Sequence, residues 1–143
     1  MIDSILLVDD ESLFHLVFED ACSLLDISIS LESLDSSDEA AKLFSGWQTE
    51  PEGRPECVFV DLNIIGSSYD GIELIRKINF EYGNHVVIGI ISSSNEPEEQ
   101  AKAIASGAQF WIIKSDDIEP RLEEFKKDFE GYKNRTAPFK IYK

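Results

Sequence analysis

Cys57-Val58-Phe59-Val60-Asp61 is a run of four apolar residues, two of them β-branched, that ends on a carboxylate. Behind it come the turn formers Asn63, Gly66 and the Ser67-Ser68 pair. An apolar run this short, closed by such residues, predicts a strand buried on both faces, the kind found in parallel sheets. In open α/β sheets ligands bind outside the carboxyl ends of the strands, which is where Asp61 stands. Three other strand-like runs end in the same manner: residues 5–8 at Asp9 and Asp10, residues 86–91 at Ser92, and residues 110–113 at Lys114. Carboxylates, a hydroxyl and an ammonium are thereby expected along one edge of one sheet.

The segments between these runs have helical periods. Residues 11–25 place Leu13, Leu16, Val17, Ala21, Leu24 and Leu25 on one face. Ile27-Ser28-Ile29-Ser30-Leu31-Glu32 instead alternates strictly, which predicts a strand with one wet face at a sheet edge. Ser37 is a candidate cap for a helix with Asp38 and Glu39 in its first turn and Ala40, Leu43, Phe44 and Trp47 facing inward. Residues 46–55, with two prolines and two glycines, predict a loop. A helix over 71–82 carries Leu74, Ile75, Ile78 and Tyr82. The next is capped by Asn95, packed by Ala101, Ile104 and Ala105, and stopped at Gly107. The last begins near Asp117 and aligns Ile118, Leu122, Phe125, Phe129 and Tyr132. Five strands alternating with helices predict an α/β fold, a doubly wound five-stranded parallel sheet with helices on both faces.

A chain of 143 residues is expected to form one domain that buries about two-thirds of its unfolded surface. The net charge of −15 argues against nucleic acid as a direct partner, because phosphate backbones demand Lys and Arg. Cys22 and Cys57 lie inside a helix-like and a strand-like run, so buried thiols and a reducing, cytoplasmic setting are expected. No export signal and no membrane segment is indicated. Beyond Glu130 no acid remains, and Lys133, Arg135, Lys140 and Lys143 stand among Tyr132, Phe139, Ile141 and Tyr142. The chain is thus divided into a domain over residues 1–130 and a basic-aromatic tail over 131–143, which folds onto the acidic domain, covers a partner or frays as a chain end.

Ile5-Leu6-Leu7-Val8-Asp9-Asp10-Glu11, Val58-Phe59-Val60-Asp61-Leu62-Asn63, Ile90-Ile91-Ser92 and Trp111-Ile112-Ile113-Lys114 together resemble the receiver domain of two-component response regulators, the CheY-like fold. Any one motif is weak; four in the right order at the right strand ends are specific. The resemblance covers roughly residues 3–130 and supplies the strand order 2-1-3-4-5, which the periodicity does not. It implies that Asp61 is a phospho-acceptor forming an acyl phosphate. It also implies a Mg²⁺ site made by Asp10, Asp61 and the backbone carbonyl of Asn63, with Asp9 acting through water. Lys114 would pair with the phosphoryl oxygens, Ser92 would donate to one of them, and Trp111 falls at the family's switching aromatic position.

The implied function is a stand-alone receiver, not an enzyme in the ordinary sense, that takes its phosphoryl group from a sensor histidine kinase or phosphotransfer protein. Output would pass to a downstream protein, or to a homodimer, through the face of helix 4, strand 5 and helix 5; neither nucleic acid nor membrane is implied as a partner. The alternatives are a pseudo-receiver acting without phosphorylation, against which the intact site set argues, and the receiver fragment of a larger regulator or hybrid kinase. A phosphatase resembling the haloacid dehalogenase family would carry a second acid two residues after its nucleophile, where this chain has Asn63. His15 reads as a surface residue, and His85 and both cysteines as structural. The chain departs from the family pattern at Ser115, where a proline is usual, in a longer 61–71 loop with Ile65 in a common proline place, and in the extra residues 46–55.

Overall fold

The four strands that end in charge or hydroxyl lie side by side in one parallel sheet. The computed structural model describes residues 2–26, 28–64 and 70–143. The strands are Ser4–Val8 (β1), Ser30–Leu34 (β2), Cys57–Asp61 (β3), Val87–Ser92 (β4), Phe110–Ile113 (β5) and Lys140–Tyr142 (β6). The helices are Ser12–Leu25 (α1), Ser37–Ser45 (α2), Gly71–Tyr82 (α3), Pro97–Ser106 (α4) and Glu119–Lys133 (α5). The sheet order is β2-β1-β3-β4-β5-β6, so the expected five strands stand in the expected order and a sixth extends the sheet.

Each strand of the middle of the sheet is covered on both faces. One core, around Leu6, Val58, Val60, Ile88 and Trp111, lies under α2, α3 and α4; the other, around Leu7, Phe59, Ile91 and Phe110, lies under α1 and α5. All five residues of β3 and all six of β4 are buried, as continuous apolar runs require, while β2 at the edge has no fully buried residue. β2 begins later than the alternation suggests, because Asp26 accepts hydrogen bonds from the amide and hydroxyl of Ser28 and bends the chain first. Ile27 lies outside the described residues.

The phase of α1 differs from the expected one. Its buried residues are Phe14, Phe18, Ala21 and Cys22, whereas Leu13, Leu16 and Leu24 are exposed. The segment carries two apolar stripes, and the one with two aromatic rings wins because each ring buries more surface than a leucine. In α4 the expected packing set of Ala101, Ile104 and Ala105 likewise faces solvent, and Ala103 and Ser106 face inward. Two caps are corrected. Ser36, not Ser37, accepts from the amide of Glu39, and α4 starts from Glu96 because Pro97 takes the first helical position, leaving Asn95 to bond Gln100. Gly107 ends α4 with φ +110°, where a side chain would also collide with Asn79.

The division at 130/131 falls inside α5, and the residues after it pack against the domain. Arg135 donates through its guanidinium to the carbonyls of Gly83 and Val86 and to the side chain of Gln109. β6 then runs parallel to β5, pairing Trp111 with Ile141 and Ile112 with Tyr142. Both cysteines are free and buried, and burial pushes the Cys22 thiol up to about 12. No helix among the described residues is long and apolar enough to cross a membrane.

Candidate functional site

The sheet brings the predicted residues to its carboxyl edge. Asp9 and Asp10 follow β1, Asp61 closes β3, Ser92 closes β4 and Lys114 follows β5. Asp9 is fully buried, Asp61 nearly so, and Asp10 half-buried. One carboxylate oxygen from each lies within 4.8 Å of the others. The ammonium of Lys114 stands 2.8 Å from Asp9 Oδ2, 3.3 Å from Glu11 Oε2 and 3.5 Å from Asp61 Oδ2. Ser92 is buried next to Ile91, the register partner of Asp61, and its Oγ accepts from the amide of Ser94 at 3.1 Å. The carbonyl of Ser94 in turn accepts from Trp111 Nε1 at 3.0 Å. Trp111 itself is fully buried, on the α2-α3-α4 side of the sheet.

Burial, reinforced by the charge of Asp9, pushes the Asp61 carboxyl from 3.8 up to about 7, against the opposing pull of Lys114 and of the Asn63 amide bonded to it. Burial works against the charged Lys114 as well, but its hydrogen bond to Asp9 and the charges of Asp61 and Glu11 hold it above the usual lysine range. The cluster is therefore short of positive charge even with its lysine in place. Two carboxylates about 4 Å apart repel by roughly 4 kcal/mol at an effective dielectric near 20, so three of them form a donor set fitted to a hard, oxygen-seeking cation. The residues present fit Mg²⁺.

A pH dependence follows for the metal-free chain. The folded state binds the Asp61 proton more tightly than the unfolded state does. Its contribution to stability is therefore fully present below about pH 4 and is lost as pH rises through about 7, at most about 4 kcal/mol. In metal-free buffer the urea midpoint is expected to fall between pH 5 and pH 8, and Asp61→Asn to remove most of that fall. A variant with the same pH slope as the wild type refutes the assignment.

Four residues that the sequence left aside complete the site. Glu11 pairs with Lys114 and donates its amide to Asp9 Oδ1. Phe14 places its ring 4.7 Å from Lys114 Nζ. His15 is half-buried rather than a surface residue, and its Nε2 donates to the backbone carbonyl of Asp9, tying the first turn of α1 to the acidic loop. Gly71 lets α3 begin against β3, since a Cβ there would collide with the carbonyl of Asp61. Of these, only Glu11 carried a signal, its place beside the acidic pair. Beyond β5, Arg121 donates to Ser115 Oγ at 2.6 Å and steadies the loop where a proline was expected. Ile65 and the middle of the longer loop, residues 65–69, lie outside the described residues.

A family model described as response regulator receiver domain matches residues 5–124. The chain belongs to that family. Among solved structures it is similar to NtrX from Brucella abortus, with 24% identity over 94% of this chain and a TM-score of 0.75, and it spans 28% of the length of that protein. It is similar to the phosphorylated cyanobacterial phytochrome response regulator RcpA, at 19% identity and a TM-score of 0.73 over 96% of this chain and 97% of the other. It is similar also to the Mn²⁺-bound response regulator Rcp1, at 18% identity and a TM-score of 0.69 over 92% and 90%. These likenesses establish the receiver fold. Among curated proteins, none matches the chain.

Proposed function

We propose that this receiver is a phosphorylation switch in which Asp61 accepts a phosphoryl group from a sensor histidine kinase or a phosphotransfer protein in the cytoplasm. The observation that carries the reading is the convergence of Asp9, Asp10 and Asp61 with Lys114 at the carboxyl edge of the sheet. Asp10, Asp61 and the carbonyl of Asn63 would hold Mg²⁺, with Asp9 acting through water. When bound, the ion neutralises the carboxylates and attracts the oxygens of the incoming phosphoryl group. Lys114 is placed to move from the carboxylates to a phosphoryl oxygen, and the hydroxyl of Ser92 to donate to another. The chemistry ends in modification of the protein itself, so it is not an enzyme that turns over a separate substrate. Intact mass after treatment with acetyl phosphate tests this. A gain of one phosphoryl group that requires Mg²⁺ supports the proposal, and no gain under any divalent condition overturns it.

The exposed Leu13, Leu16 and Leu24 on α1 form an apolar stripe beside the acidic Glu19, Asp20, Asp116 and Asp117, a face suited to a phosphodonor helix with an apolar ridge and basic flanks. Output would leave by the face of α4, β5 and α5, which in this chain includes β6, and serve a partner protein or a homodimer. A second reading, the receiver of a larger regulator, is favoured by the likeness to NtrX, of which the chain spans only part.

The switch would run from Ser92 through Ser94 to Trp111, along the two hydrogen bonds that join them. A phosphoryl group carries about −1.5 to −2 charge, enough to draw the Ser92 hydroxyl away from the Ser94 amide. In a Trp47→Phe background, Trp111 fluorescence is expected to change on adding beryllium fluoride with Mg²⁺. An unchanged emission with the analogue bound rules out this route.

A further inference from the structure

Lys114 has to do two things that conflict. It must sit among carboxylates before phosphorylation and reach a phosphoryl oxygen afterwards, on a long stem that is free to turn about every bond. The carboxylates cannot fix it through both states, since the reaction redistributes their charge. The ammonium also lies over the ring of Phe14, whose centroid is 4.7 Å from Nζ. Phe14 is buried, and its ring is held in turn: Phe14 rests on Phe18 at 6.0 Å, and Phe18 meets Phe59 edge-on at 5.1 Å. Phe59 belongs to β3, two residues before Asp61. A column of three rings thus runs from the strand that carries Asp61 to the ammonium of Lys114.

We infer that Phe14 is a positioning residue for Lys114, holding its ammonium by a cation–π contact within reach of both Asp61 and the phosphoryl oxygens. The inference rests on the phospho-acceptor reading of the site. The negative face of an aromatic ring attracts an ammonium without using any of its hydrogens, so the contact survives when Lys114 exchanges a carboxylate for a phosphoryl oxygen. Made in both states, the contact cancels from the affinity itself; what the ring removes is the freedom of the Lys114 stem, and re-ordering a lysine released from it costs up to roughly a thirty-fold change in an equilibrium constant. A leucine at this position would fill most of the space and supply no such face.

The test is equilibrium binding of beryllium fluoride in the presence of Mg²⁺, read by fluorine NMR on the full chain, with binding of Mg²⁺ alone measured in parallel. Phe14→Leu is expected to weaken beryllium fluoride binding about five- to thirty-fold and to leave Mg²⁺ binding within about twofold, while Phe14→Tyr keeps wild-type affinity for both. In a Lys114→Gln background Phe14→Leu is expected to add nothing. Should Phe14→Leu fail to fold, a phenylalanine at position 14 with its ring hydrogens replaced by fluorine keeps the shape and withdraws the negative face, and the same loss is expected. Equal affinity in Phe14→Leu and wild type, an undiminished effect without Lys114, or a matching loss of Mg²⁺ binding each overturns the positioning role. Wild-type protein that takes up no beryllium fluoride overturns the phospho-acceptor reading and this inference with it. Uptake that needs Lys114 but ignores Phe14 overturns the positioning role alone.

Discussion

Asp61→Asn is expected to abolish phosphoryl incorporation from a small donor, and withholding Mg²⁺ from the wild type is expected to slow it by up to about a thousandfold. The first effect follows from position. Asp61 is the carboxylate that closes β3, with Lys114 Nζ at 3.5 Å and the two other acids of the cluster beside it. Asparagine preserves the shape of that side chain and removes its nucleophile. The second effect follows from charge. An incoming phosphoryl donor meets Asp9, Asp10 and Asp61 with one buried ammonium to offset them. Each close like-charge pair costs about 4 kcal/mol at an effective dielectric near 20, and every 1.36 kcal/mol is tenfold in rate. Asp10→Asn is expected to lose more metal affinity than Asp9→Asn, because Asp10 is the more open of the two while Asp9 is engaged with Lys114 at 2.8 Å. Radiolabel incorporation or intact mass reads all three. Equal labelling of Asp61→Asn and wild type would sink the assignment of the acceptor.

What the sequence made legible was the part of the molecule governed by strand ends. A buried strand in a parallel sheet announces itself as a continuous apolar run, and the residue that stops it is forced to the carboxyl edge. Asp9, Asp10, Asp61, Ser92 and Lys114 could therefore be read together without knowing any angle. The phase of α1 was not legible, because hydrophobic periodicity cannot rank two competing apolar stripes; the rings of Phe14 and Phe18 decided it by size. The same ambiguity hid Phe14 from the site. His15 was missed for a different reason. Its partner is a backbone carbonyl, and sequence patterns carry no record of where backbone acceptors point. In the tail the alternation of Phe139, Ile141 and Lys140, Tyr142 was visible as composition, but a three-residue strand is too short to show a period of its own.

Removing β6 is expected to destabilise the domain severely, although it lies farthest from Asp61 in the chain. Tyr142 is buried against Phe125, with centroids 5.8 Å apart, and its hydroxyl donates to Asp128 Oδ2 at 2.7 Å and meets the Tyr132 hydroxyl at 2.8 Å. Lys140 bridges Glu124 and Asp128 on the surface, a pair of contacts worth little by comparison because they are exposed. Truncating a buried aromatic to alanine costs about 3–5 kcal/mol, a large share of the 5–15 kcal/mol by which a domain is stable. Tyr142→Phe, which keeps the ring and loses the hydroxyl bonds, is expected to cost only about 1 kcal/mol. Lys140→Ala should cost less than about 1 kcal/mol. Deleting residues 139–143 adds the loss of the β5 ladder and uncovers Trp111, whose register partner is Ile141. That deletion is expected to lower the melting temperature by more than Tyr142→Ala does and to raise the exposure of Trp111 to an aqueous quencher. Chemical denaturation of the four variants beside the wild type provides the ordering. A deletion that unfolds at the wild-type midpoint would mean that β6 is an ornament on the sheet edge. The expected order instead makes the sixth strand part of the core that holds Trp111, against which Phe139 and Ile141 pack.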